Sequence, residues 1–338
     1  MTLAGTLCTR LVVSALALQP LLNARPLARA AASLRQAAAG RRSYAKVAAL
    51  EASLSSRGPQ ALPAPRFDSS RAWEHLGQLV AIGPRPAGSA AIEQARSYIK
   101  GRLAAAGVTV IEQAWEDQTP LGKTHMVNLI ATIPGASQDR LVLSGHYDTK
   151  LFRDFRFVGA NDGGSSAAFL IELARVLKGR KNRLSIEIVF LDGEEAVDPV
   201  KWEGNDHTYG SRHYVEVAKR NGSLSGLRAN VLVDMIADRN LNIKRDTNST
   251  PWLSDIVWDA ARRHKLDEYF VPASTRVEDD HIPFLEAGVP SVDIIDLDYP
   301  PWHTAQDTLD AVSAHSLQVV GEVLLAALPV IEARALKN

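Results

Sequence analysis

Two glutamates stand side by side in "FLDGEEA", Glu194 and Glu195, directly behind the apolar run "LSIEIVF". Adjacent carboxylates repel, and burying either one unpaired is costly. A surface turn tolerates such a pair, so chemistry requires partners. The chain offers His146 and Asp148 in "SGHYDTK", Asp162 in "GANDGG", Asp234 after "NVLV" and His303 in "PPWHTAQD". Singly each is ordinary, because an isolated buried His or Asp is more often a hydrogen-bonded core or cap residue. Together they supply the imidazoles and carboxylates that zinc takes while keeping one position open. The glutamate left over then serves as a general base beside the metal. Asp148, two residues after His146, is spaced to orient that imidazole.

The order of elements gathers these residues. Helical spacing runs through residues 71–82, 90–107, 163–179, 210–222, 251–264 and 314–335, with a short helix over 281–288. Apolar runs over 108–115, 125–135, 139–146, 184–193, 229–236 and 290–298 read as strands. This alternation predicts a single α/β domain, its mostly parallel central sheet flanked by helices on both faces. Ligands of open α/β sheets bind beyond the carboxyl ends of the strands. His146, Glu194, Glu195, Asp234 and His303 each follow such an end, and Asp162 precedes a long helix.

The chain of 338 residues, 46% hydrophobic and 22% charged, is long enough for a substantial core. Its formal net charge of zero argues against a protein built to hold nucleic acid. Residues 1–60 nevertheless hold eight Lys/Arg against one acid, net +7, leaving −7 on residues 61–338. That basic segment reads as an address and linker outside the fold. The short apolar run "LVVSALALQPLLNA" suggests export, to a periplasm or the outside, and is too short to span a bilayer. The Arg- and Ala-rich, acid-free stretch to Tyr44 leaves a mitochondrial presequence as the alternative. No stable membrane span is expected. The one cysteine, Cys8, excludes an intrachain disulfide and a thiolate in the folded body.

The motifs "SGHYDTK", "GANDGGSSAAFLIELAR", "FLDGEEA", "YGSRH", "VLVDMI", "EDDHIPFLEAGVP" and "WHTAQDTLD", in this order, resemble those of the zinc-dependent glutaminyl cyclases. More distantly they resemble the di-zinc aminopeptidases of the same superfamily. The resemblance runs from about Ala81 to the final helix. "GHYD", "ND" and "GEE" are common to both groups; the Trp302-His303 pair, "DDHIPF" and the segment carrying Trp202 look like the cyclases. The resemblance implies an aminopeptidase-like fold that cyclises the N-terminal glutamine of peptides or proteins to pyroglutamate, releasing ammonia. It further implies one zinc per chain on Asp162, Glu195 and His303, with Glu194 as acid/base. Asp234 and Asp279 would form a carboxyl pair, and Trp202 and Trp302 would line the pocket.

In the aminopeptidases the positions matching His146 and Asp234 hold a second zinc, bridged by the one matching Asp162. All five ligand types are kept here, so a di-zinc aminopeptidase remains the alternative. Asp279, able to share a proton with Asp234, favours one zinc. Asp293 stands where animal cyclases carry histidine, the Glu195–Trp202 segment is longer, and the missing cysteine pair points to the bacterial-type branch. The Trp302 indole is expected to be independent of the His303 ring. His281 reads as a helix-start residue or a group supporting the ligands rather than a ligand itself, the remaining histidines as surface or packing groups, and "GPRPAG" as a turn without a functional role.

Overall fold

The computed structural model describes residues 66–198, 202 and 204–337. The expectations for residues 1–60 lie outside these. Asp68 opens α1 (Ser69–Ile82) by accepting the Ser70 amide at 3.0 Å, and Ser89 opens α2 (Ala90–Ala105) by accepting that of Ile92 at 3.2 Å. A long antiparallel hairpin follows, β1 (Thr109–Thr119) and β2 (Gly122–Ile133). Next come β3 (Ser137–His146), α3 (Gly164–Lys178), β4 (Leu184–Leu191), α4 (Tyr209–Arg220) and β5 (Leu227–Asp234). The chain closes through β6 (Ile243–Asp246), α5 (Pro251–His264), β7 (Phe270–Thr275), α6 (Ile282–Glu286), β8 (Ser291–Ile295) and α7 (Ala314–Ala335).

The main sheet has the order β1-β2-β4-β3-β5-β8, with β4, β3, β5 and β8 mutually parallel and the hairpin antiparallel at one edge. Strand β4 is buried along its whole length, as is β8. This is why these strands read as largely apolar, with Ser185, Glu187, Ser291 and Asp293 buried among the apolar side chains. One face packs on Leu76, Phe169, Leu173, Val257, Val320 and Leu324 of α1, α3, α5 and α7; the other packs on Tyr214, Val215 and Phe284 of α4 and α6. The two-faced arrangement expected from the sequence is therefore present. By length and composition α7 could cross a membrane, but more than half of its apolar window is buried in this core.

From β3 the chain passes to β4 on one side and later to β5 on the other. That reversal of direction opens a crevice at the carboxyl end of β3. A second, two-stranded parallel sheet, β6 with β7, was not expected from the sequence. Its segments "IKRD" and "FVPAST" are short, and the first is mostly charged while the second carries a proline, so only tertiary packing marks them as strands. It ends on Asp246, which accepts the amides of Asn248 and Val277, each at 3.0 Å. Asp246 also faces the fully buried His281 ring at 3.1 Å. This anchors the turn that carries Asp279.

Candidate metal centre and active site

His146 is the last residue of β3 and is paired in parallel register with Leu191, the last of β4. The turn after β4 therefore delivers Glu194 and Glu195 beside it. Gly193 makes that turn in the left-handed region, φ 66°, where a Cβ would come within 2.8 Å of the Met126 sulfur. Asp148 lies past the end of β3, and its carboxylate accepts the Glu194 amide at 3.2 Å and the Glu195 amide at 3.3 Å. Its Oδ1 is also 3.4 Å from His146 Nδ1. Asp148 thus fixes the glutamate turn as well as facing the imidazole. The adjacent glutamates are held by their main chain, and both side chains are buried.

Asp162 precedes Gly163, whose φ of 72° turns the chain into α3. The Asp307 carboxylate accepts the amides of Asn161 and Asp162 at 2.8 and 3.2 Å, and the Tyr299 hydroxyl donates to it at 2.7 Å. Asp234 ends β5, and Met235 after it is left-handed at φ 45°; His303 itself is left-handed at φ 56°. Left-handed backbone is unfavourable for these side chains and tends to persist where function constrains it.

Two donor triads share Asp162: His146, Asp162 and Asp234 on one side, and Asp162, Glu195 and His303 on the other. Asp162 Oδ1 is 3.3 Å from His146 Nε2, while Oδ2 is 3.3 Å from His303 Nε2. His303 Nε2 lies 3.2 Å from Glu195 Oε1, and His146 Nε2 lies 3.0 Å from Asp234 Oδ1. Tetrahedral ligands at about 2.0–2.1 Å from a metal stand roughly 3.3 Å apart, so these separations suit a shared ion. Asp162 Oδ2 and Glu195 Oε2 are buried without a hydrogen bond, which also fits ligation.

The electrostatics agree. Burial pushes the Glu194, Glu195 and Asp234 carboxyls up from the usual range, that of Glu194 well up despite His146. Burial and then the neighbouring Asp234 charge bring Asp279 to about 7. Burial would lower His303, but Asp162 and Glu195 outweigh it and raise the ring to about 10. Burial alone would raise Asp162, yet both imidazoles hold it below the ordinary carboxylate range. Carboxylates outnumber the cationic groups here, and a divalent cation would offset that excess.

A cavity of about 570 Å³ is lined by Asp162, Glu194, Glu195, Asp234, Asp279, Trp202, Trp302 and His303. The structure thus brings every sequence-nominated residue to one place, with His146 directly behind Asp162 and Asp234. Glu194 belongs to neither triad, and its Oε2 is 3.7 Å from His146 Nδ1. Asp234 contacts His146 at 3.0 Å and also neighbours Asp279, whose near carboxyl oxygen accepts the Asp280 amide while the other has no hydrogen bond. Two features differ from expectation. The Trp302 ring packs on the His303 ring, with centroids 4.5 Å apart, so the two are not independent. Lys150, absent from the sequence argument, is buried with Nζ 3.5 Å from Glu195 Oε2 and donates to Ala196 O at 3.2 Å. Trp202 stacks on His207 with centroids 4.3 Å apart.

Residues 128–328 match the model of peptidase family M28, and the chain belongs to that family. Within it, the chain is 32% identical to a glutaminyl-peptide cyclotransferase of Drosophila melanogaster, over 76% of this chain and 81% of that protein. Among solved structures it is similar to an Acidobacteriales bacterium glutaminyl cyclase, with 40% identity and TM-score 0.76, covering 82% of this chain and 99% of that one. A Bacteroides thetaiotaomicron leucine aminopeptidase precursor is also similar, with 26% identity and TM-score 0.72, covering 79% and 99% of the two chains.

Proposed function

We propose that this chain is a glutaminyl-peptide cyclotransferase. Its substrate would be a peptide or protein N-terminus bearing glutamine, and its products pyroglutamate and ammonia. The observation that carries the reading is the cavity wall on which Trp202, Trp302 and Asp279, the cyclase-like positions, stand beside Glu194, a buried carboxyl outside both donor triads. Asp162, Glu195 and His303 would hold one zinc ion. Bound there, zinc would supply Lewis-acid polarisation of the γ-carbonyl oxygen.

Glu194 would take a proton from the α-amine as nitrogen bonds to the side-chain carbonyl carbon, Cδ. It would return that proton to the departing amide nitrogen, so the old C–N bond breaks as ammonia forms. Its raised pKa, caused first by burial, suits a group that must hold the proton between these steps. Asp279, with one carboxyl oxygen lacking a partner, would orient the leaving amide. Nucleophile and electrophile belong to one residue, so folding the side chain back is an orientation task for the Trp202 and Trp302 walls.

The intact His146–Asp162–Asp234 triad supports a second reading, a two-metal aminopeptidase. A paired assay separates the two. The purified protein is incubated with a Gln-initiated peptide and its Leu-initiated counterpart and followed by mass spectrometry, with metal counted by elemental analysis. Loss of ammonia from the first peptide at one zinc per chain is expected. Loss of a residue from the second, with two metals needed, assigns the aminopeptidase instead.

Trp302 gives a further test. Its side chain is 43% exposed, so its removal costs the fold little. Trp302→Ala is expected to lose more than about tenfold in kcat/KM, ~1.4 kcal/mol of transition-state stabilisation, through loss of the apolar wall. Because the indole packs on the His303 ring, zinc affinity should fall modestly, while zinc content and melting temperature at saturating zinc should stay near wild type. A large fall in melting temperature with unchanged specific activity would reduce Trp302 to a packing residue.

A further inference from the structure

The turn "GPRPAG" holds an arginine that is 0% exposed, Arg85, whose guanidinium bonds to main-chain carbonyls. Nε donates to Tyr147 O at 2.8 Å, Nη1 to Val158 O at 2.6 Å and Nη2 to Gly159 O at 3.1 Å. Tyr147 lies between His146 and Asp148. Gly159 opens the loop carrying Asp162, and its carbonyl also accepts the Gly164 amide at 3.1 Å. The Arg85 main chain adds a second tie, its amide donating to Thr149 Oγ1 at 2.9 Å.

One planar cation therefore spans the loop after β3 and the loop before α3. No shorter or single-point group reproduces that fork. The loop it grips is tight, since a Cβ on Gly159, at φ 51°, would meet Asp162 O at 2.3 Å. Burial lowers the Arg85 pKa to about 10, partly offset by Asp148, Asp307 and Asp162, so the group stays charged at neutral pH.

We propose that Arg85 is a positioning residue for the metal centre, setting the spacing of His146 and Asp162 by tying the chain directly after His146 to the loop that carries Asp162. The inference rests on Asp162 being a ligand, as proposed above. A side chain that only stabilised the fold would change melting temperature. One that sets ligand spacing changes the affinity of the folded protein for metal.

Zinc affinity is measured by chelator competition on metal-stripped wild type, Arg85→Lys and Arg140→Lys, with melting of each metal-free form followed alongside. Arg140 serves as control because it pairs with Glu187 at 2.9 Å near the opposite end of β3. Arg85→Lys is expected to bind zinc roughly 10–100-fold more weakly, the range for partners that orient ligands, with Arg140→Lys unchanged. Thr149→Val, which removes only the acceptor of the Arg85 amide, covers the case in which Arg85→Lys does not fold. It should weaken zinc by about threefold or more, the worth of one hydrogen bond. Unaltered affinity in the folded variants overturns the inference while leaving the proposed function intact. A wild-type protein that takes no zinc overturns both.

Discussion

Glu194→Gln keeps its metal and loses on the order of 10²–10⁴ in turnover, the usual worth of general acid–base catalysis. The substitution preserves shape, and the residue's amide remains bound to Asp148 Oδ1 at 3.2 Å, so the turn after β4 keeps its course. Neither donor triad includes Glu194, so ligand count is unaffected. What disappears is the only function asked of it, since an amide cannot accept the amine proton and hand it on. The check is kcat on a Gln-initiated peptide together with zinc content of the same sample. Near-normal turnover would return Glu194 to the status of a buried structural carboxyl.

Asp162→Asn is expected to fail in the opposite way, by losing the metal. Its two oxygens face opposite sides, each 3.3 Å from a histidine Nε2. An amide can offer an oxygen to one imidazole only, and its nitrogen would then point N–H groups at the other. It also removes the charge that both imidazoles favour. The loss should exceed the roughly 100-fold upper end seen for residues that merely support ligands. Main-chain placement should survive, because Asp307 accepts the residue's amide whichever side chain is present. Chelator competition gives the affinity. Zinc retained as tightly as in wild type would exclude Asp162 from the ligand set.

The contrast between these variants follows from what the sequence displays. Each residue at the end of a parallel strand is visible because the strand before it is largely apolar, as in "LSIEIVF" before the glutamates. Residues that act through the main chain leave no such mark. Asp307 accepts the amides of Asn161 and Asp162, and Arg85 donates to carbonyls of residues 147, 158 and 159. Nothing in "GPRPAG" distinguishes a buried fork from the surface turn it resembles. The β6–β7 pair was hidden for a related reason, since its segments gain their conformation from packing rather than from their own apolar pattern. The surroundings of Asp234 were legible in part: its charge lies close enough to Asp279 to raise that carboxyl, and the parallel register of β3 and β5 also brings His146 within 3.0 Å.

That register also governs when the centre can exist during folding. His146 meets Asp234 across 88 residues of chain, and Glu195 meets His303 across 108. Closing loops of that length precedes any reward from the contacts they make, and parallel sheets with high contact order fold slowly. The Asp162–Glu195–His303 triad is not assembled until β3 and β4 are paired and the long loop after β8 has docked. A metal bound at that triad would therefore meet a nearly native chain and could not serve as its nucleus. Its stabilisation would fall on the native state alone, slowing the escape from the fold and leaving the search for it unaided.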